Sequence, residues 1–176
     1  AKKINCSSKN ILVASTGVIG EQLNYKKINA AIPKLLEKSK KKCCSWNSFC
    51  QSIMTTDIVP KFATKKIKFG KETVCISGIA KGSGMIHPNM GTMLAFIFTD
   101  ANIPKNIINK ILLDGIKHSF NSITVDGDTS TNDSVFFAAT CKKKSISINS
   151  FKNSKYKKFV KHFNDLLLDL AKQIVK

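Results

Sequence analysis

A hydroxyl suited to covalent chemistry stands at Thr92, within AKGSGMIHPNMGTMLAFIFTDA (80–101), where a glycine-broken loop runs into an uninterrupted apolar segment. A threonine hydroxyl is a poor nucleophile without a base beside it, and one solution uses the threonine's own α-amino group. That amine exists only if the Gly91–Thr92 bond is broken. A free α-amine titrates at about 7.7–8, suited to a general base near neutrality. The same hydroxyl could attack the Gly91 carbonyl, and a glycine there puts no side chain in the way of a tight, strained turn. A β-branched residue opening a strand accounts for Thr92 equally well by itself.

Acyl chemistry also needs donors for a developing oxyanion. In STGVIGE (15–21), Thr16 offers a hydroxyl and Gly17 an unobstructed backbone N–H; such donors are typically worth about 3 kcal/mol each. Lys81 follows a strand-like run and precedes GSG, so its ammonium can meet a carboxylate while the glycines let a ligand approach the backbone. MTTD (54–57) ends a helical pattern with two hydroxyls, Thr55 and Thr56, beside a carboxylate. DGDTSTND (126–133) imitates a calcium loop but lacks the closing Glu, so a turn knitted by Asp and Thr side chains is the better account. Each signal alone also reads as an ordinary strand end, turn or surface lysine.

The elements that must hold these residues alternate between strand and helix. ILVAS (11–15) reads as a strand before a turn, and Asn24 as the cap of a helix that Pro33 interrupts. Trp46, Phe49 and Ile53 recur at helical spacing and predict a packed face. TVCISGIAKG predicts a strand entering the glycine-rich loop, and TMLAFIFTDA a strand buried on both faces. PKNIINKILLDGIKHSF predicts an amphipathic helix with Pro104 in its first turn. NSITVDGDTSTNDSVFFAAT predicts strand, polar turn, strand, and residues 155–175 place Phe159, Phe163, Leu166, Leu167 and Leu170 on one helical face. The class expected is α/β or α+β, with helices packed on sheets.

The 176 residues carry 29 basic and 11 acidic side chains, a net charge of +18. Every basic residue is lysine; without arginine or aromatic–basic interleaving, nucleic-acid binding is the weaker reading of that charge. No apolar run approaches the length of about 18–20 residues that spans a bilayer. Six cysteines, two of them the adjacent Cys43 and Cys44, fit neither a disulfide framework nor a zinc site. Free thiols, no metal, no cofactor and a soluble, cytoplasmic chain are expected.

Taken in order, STGVIGE, MTTD, KGSGMIHPNMGTML, TDA and DGDTSTND resemble the ornithine acetyltransferase family of arginine biosynthesis, the bifunctional glutamate N-acetyltransferases. The resemblance runs from about residue 11 to the C-terminus. It implies a fold of stacked β-sheets covered by helices, similar to that of the N-terminal-nucleophile hydrolases. It also implies a precursor that cuts itself between Gly91 and Thr92, so that residues 1–91 belong to an α chain and 92–176 to a β chain of one structural unit. Thr92 is then the nucleophile that carries acetyl, Thr16 and Gly17 the oxyanion pair, and Lys81 and Thr55 substrate ligands, with Thr56 the near alternative. The usual residue before the nucleophile in the family is alanine, and Gly91 departs from it.

The implied partners are N2-acetylornithine and glutamate, acetyl-CoA as a donor for some members, and α and β chains in a hetero-oligomer, with neither nucleic acid nor membrane. The family continues on both sides of this stretch, so the chain reads as a central fragment, lacking a substrate-binding glutamate and a C-terminal asparagine and threonine. Two rivals stand beside this reading: an amidohydrolase or aminopeptidase built on the same threonine, and a lysine-rich nucleic-acid binder. Transfer of acetyl to glutamate, as against hydrolysis, separates the first; steeply salt-dependent DNA affinity would mark the second.

Overall fold

Small and branched residues at every second position build a four-stranded mixed sheet in the order β1-β2-β3-β4. The strands are β1 Lys61–Phe69, β2 Glu72–Lys81, β3 Leu94–Asn102 and β4 Ser134–Ser147. The computed structural model describes residues 1–41, 45–88 and 93–176. Four α-helices accompany the sheet: α1 Tyr25–Lys40, α2 Trp46–Ile53, α3 Lys105–Lys117 and α4 Ser154–Ile174. β1–β2 and β2–β3 pair antiparallel, whereas β3–β4 pair parallel. Parallel pairing needs a crossover, and α3 lies within it.

Packing divides the chain into two compact units, residues 1–49 and 50–176. In the second unit one sheet face is the core. Ala63 and Ile67 of β1, Val74 and Ile76 of β2, and Ala95 and Ile97 of β3 are buried there with Phe159, Phe163, Leu166, Leu167 and Leu170 of α4 and Ile107 and Ile111 of α3. The fit over β2 depends on Gly78: a Cβ there would stand 2.9 Å from Leu170 and 3.1 Å from Leu166. Phe137 of β4 reaches the same layer, its ring 4.6 Å from that of Phe163. On the opposite face lie Phe62, which is 58% exposed, and the half-buried Phe96, Phe98 and Phe136. The rings of Phe96 and Phe136 stack at 5.4 Å.

β1 is an edge strand, and α4 caps its free backbone groups. Gln173 accepts the Phe62 N–H at 3.1 Å and donates to the Phe62 carbonyl at 3.1 Å, and Lys158 donates to the Lys68 carbonyl at 2.7 Å. Such capping blunts the tendency of an open edge to pair with other strands.

Several expectations need correction. The alternation of β3 shows one buried face and one half-buried face, because α4 and α3 cover one side of the sheet. β1 was not anticipated. ILVAS is irregular and not a strand, and Leu12 and Val13 stand 75% and 84% exposed. Ile123–Val125 is also irregular, although the Val125 N–H donates to the Ile86 carbonyl at 2.9 Å.

Pro33 does not interrupt α1, which runs through it as one helix. The lost donor costs one hydrogen bond, and the Asn24 cap, which accepts the Lys27 N–H at 3.2 Å, with Ala30, Ala31 and Leu35 around the proline, favours the helix on both sides. In α2 the inward position is Cys50, while Trp46 is 47% exposed. Pro104 is the cap residue of α3 rather than a member of its first turn. Among the described residues there is one sheet, no helix long and apolar enough to cross a membrane, and free thiols at Cys6, Cys50, Cys75 and Cys141. Cys43 and Cys44 lie outside the described residues.

Candidate active site

Register brings four chain segments to one end of the sheet. Lys61 at the start of β1 pairs with Ala80, Lys81 at the end of β2 pairs with Leu94, and Leu94 pairs with Ser134 at the start of β4. The residues just outside these strands, Thr55–Asp57, Gly82, Met93 and Asp133, therefore meet there.

Lys81 is wholly buried, at 0% exposure. Its ammonium donates to the Thr55 hydroxyl across 3.5 Å, the limit of a hydrogen bond. Burial pushes its pKa down, and the carboxylates of Asp57 and Asp133 push it back up. A buried ammonium this thinly paired is costly unless a further anion meets it.

Asp57 ties the segments together. One oxygen accepts the Lys61 ammonium at 2.6 Å and the Gly82 N–H at 2.7 Å; the other accepts the Thr55 N–H at 3.3 Å. Burial acts to raise its pKa, but Lys61 and the two backbone donors outweigh burial and hold it below the usual carboxylate range. Thr55 is thus fixed through its own backbone beside Lys81. The Thr56 hydroxyl is engaged elsewhere, 2.7 Å from that of Ser83.

The polar run after α3 supplies two clamps. Asp126 accepts the N–H groups of Met85 and of Ile86, the latter at 3.1 Å, and Thr124 donates to the Ile86 carbonyl at 2.9 Å. Gly84 allows this approach, since a Cβ there would stand 3.3 Å from the Asp126 carboxylate. The Met85 N–H has the largest effect on the Asp126 pKa and, together with the N–H groups of Asp128, Ile86 and Asp126 itself, holds it low against burial, which ranks second and pushes it up. At the other end of the run, Asp133 accepts the Met93 N–H at 2.8 Å while the Ser134 N–H donates to the Met93 carbonyl at 3.1 Å. The second Asp133 oxygen is buried without a hydrogen-bond partner. Burial raises the Asp133 pKa, with the Met93 N–H, the nearby Ser130 hydroxyl and Lys81 pulling the other way.

Of the residues singled out from sequence, Thr55 and Lys81 come together. Thr16 and Gly17 belong to the first unit, where Thr16 is half-buried and Gly17 exposed. Gly91 and Thr92 lie outside the described residues. Sequence reasoning passed over Asp57, Lys61 and Asp133. Asp57 stood there only as the carboxylate that closes MTTD and Asp133 as part of a polar turn, and only the four-residue step from Asp57 to Lys61 hinted at a charge pair. Among the described residues no group of His, Cys, Asp or Glu is arranged to hold a metal ion.

A family model described as the ArgJ family matches residues 1–176. The chain belongs to the ArgJ family. Over its full length it is 41% identical to the arginine biosynthesis bifunctional protein ArgJ of Bradyrhizobium diazoefficiens, of which it covers 43%. It is 42% identical to the ArgJ protein of Nitrobacter winogradskyi and 45% identical to that of Neisseria meningitidis, covering 42% of each. This ArgJ-family chain therefore spans about two-fifths of the length of the curated relatives it matches.

Proposed function

We propose that the protein to which this chain belongs is an acetyltransferase of arginine biosynthesis that moves acetyl from N2-acetylornithine to glutamate through an acetyl ester on Thr92. The precursor cuts itself between Gly91 and Thr92, giving α and β chains that remain assembled. The hydroxyl of Thr92 attacks the acetyl carbonyl of acetylornithine, and the freed α-amine of the same residue takes the hydroxyl proton. The tetrahedral oxyanion is held by the Thr16 hydroxyl and the Gly17 N–H. Collapse breaks the C–N bond, the proton passes to the departing amine, and ornithine leaves. The amine of glutamate then attacks the ester, and Thr92 recovers its hydroxyl proton as N-acetylglutamate departs. Acetyl-CoA can serve as donor in the same cycle.

The observation that carries this reading is Lys81, a fully buried ammonium with, among the described residues, one long hydrogen bond, at the strand end where it pairs with Leu94. Both amino-acid substrates bring an α-carboxylate to meet it, and Thr55 lies beside it. Architecture of the N-terminal-nucleophile type, with a second sheet stacked on the first, is supported by Phe62, which stands 58% exposed on the sheet face opposite α4.

Mass spectrometry of the full-length protein tests the proposal. Wild type is expected as two chains, the second beginning Thr92-Met93-Leu94, and Thr92→Ala as one. An intact wild-type chain that still transfers acetyl to glutamate would refute the assigned base. Release of free acetate in place of acetylglutamate would favour a hydrolase.

A further inference from the structure

We propose that Asp133 receives the amino group of the amino-acid substrate, so that Lys81 and Asp133 together bind an α-amino acid as a zwitterion. The inference rests on the acetyl-transfer reading and supplies a partner for the substrate's amino nitrogen, which that reading leaves without one.

Lys81 and Asp133 stand at the same end of the sheet, linked by the pairing of Lys81 with Leu94 and of Leu94 with Ser134. Among the described residues each is short of partners: the ammonium has one hydrogen bond, at 3.5 Å, and one carboxylate oxygen has none. They lie close enough to feel each other's charge, yet among the described ion pairs none joins them. Buried opposite charges that are near but unjoined are stable when something bridges them. An amino acid carries a carboxylate and an ammonium on one carbon and meets both at once.

The neighbouring carboxylates cannot take this part. Asp57 spends its oxygens on Lys61, Gly82 and Thr55, and Asp126 on Met85, Ile86 and the Asp128 N–H. The Ser130 hydroxyl, near Asp133, donates to Asn132 at 2.8 Å. Asp133 is also held in place, because its first oxygen accepts the Met93 N–H at 2.8 Å. A carboxylate fixed before the ligand arrives loses little freedom on binding. Burial raises the Asp133 pKa, so a cationic partner relieves a standing penalty. Met93 directly follows Thr92 in sequence, and the bound ammonium gives one proton to Asp133 before its nitrogen attacks the acetyl ester.

Calorimetric titration of the full-length mature protein with glutamate and with glutarate, its analogue without the amino group, tests the assignment. Wild type is expected to prefer glutamate by about tenfold or more, the range of a hydrogen bond to a charged group. Asp133→Asn keeps an acceptor for the Met93 N–H and should lose that preference by weakening glutamate alone, whereas Lys81→Ala should weaken both compounds. Equal affinity of wild type for the two compounds overturns the proposal without any variant. So does an Asp133→Asn protein that weakens both equally, which marks a structural role, or one that keeps the preference. Unchanged binding of both by Lys81→Ala counts instead against the carboxylate assignment of the acetyl-transfer reading, and a wild type that binds neither compound sinks that reading and this proposal together.

Discussion

Removing the charge of Asp57 should destabilise the β1–β2 hairpin far more than removing the whole ion pair does. Asp57 and Lys61 are 9% and 4% exposed, and their charged atoms lie 2.6 Å apart. Asp57→Asn leaves the Lys61 ammonium buried with no carboxylate, facing only neutral acceptors, the new amide oxygen and the Val59 carbonyl at 3.4 Å, which by analogy with other broken buried pairs costs about 3–5 kcal/mol. Lys61→Met should fall at the lower end of that range, because Asp57 keeps the Gly82 and Thr55 N–H groups. The double variant buries no charge at this point, so it should cost less than Asp57→Asn alone, which places it at least about 3 kcal/mol below the sum of the single costs. Native-state hydrogen exchange of the β1 and β2 amides in the full-length protein reads these opening energies. Acid adds a second arm. The folded pKa of Asp57 is depressed, so its contribution is fully present above the ordinary carboxylate value of about 3.9 and is lost as pH falls through the lower folded value. Asp57→Asn should lack that part of the acid loss. Single costs that simply add in the double variant, within about 0.5 kcal/mol, would show that the pair is not coupled and would refute the reasoning.

Two further predictions concern packing and local propensity. Gly78→Val should cost about 1–3 kcal/mol, because its first added carbon meets Leu170 at 2.9 Å and Leu166 at 3.1 Å; unchanged exchange protection across β2 and α4 would show that these side chains yield freely. Pro33→Ala should raise the helicity of a peptide covering residues 24–41, since it restores a donor in the interior of α1; unchanged far-ultraviolet circular dichroism would mean that the proline imposes no local cost.

The elements that read clearly from sequence were those whose burial is set within their own span. α4 repeats Phe159, Phe163, Leu166 and Leu170 along one side, and β2 and β3 alternate or run apolar between turn residues. β1 escaped notice because its polarity is inverted where it matters: Lys61 is buried against Asp57, while Phe62 is mostly exposed. Its place at the sheet edge is secured by Gln173, more than a hundred residues away. ILVAS misled for the opposite reason, having the composition of a strand while Leu12 and Val13 stand exposed. At the candidate site, the types of Thr55 and Lys81 were informative because a hydroxyl and an ammonium carry their chemistry in any setting. The roles of Asp57 and Asp133 depend on which backbone N–H each one faces, and that is fixed only once strand register brings residues 57, 82, 93 and 133 to the same end of the sheet.

The connection from β2 to β3 spans the residues between Lys81 and Leu94, and the two strands it joins are direct neighbours, paired from Ile76↔Thr99 to Lys81↔Leu94. A break anywhere in that connection would therefore sever the polypeptide without parting the sheet. The two pieces would stay zipped along a shared ladder, each contributing strands to a core neither could complete alone. The last paired residues on either side of such a break, Lys81 and Leu94, would keep their register, so cutting the chain there would cost the sheet none of its ladder.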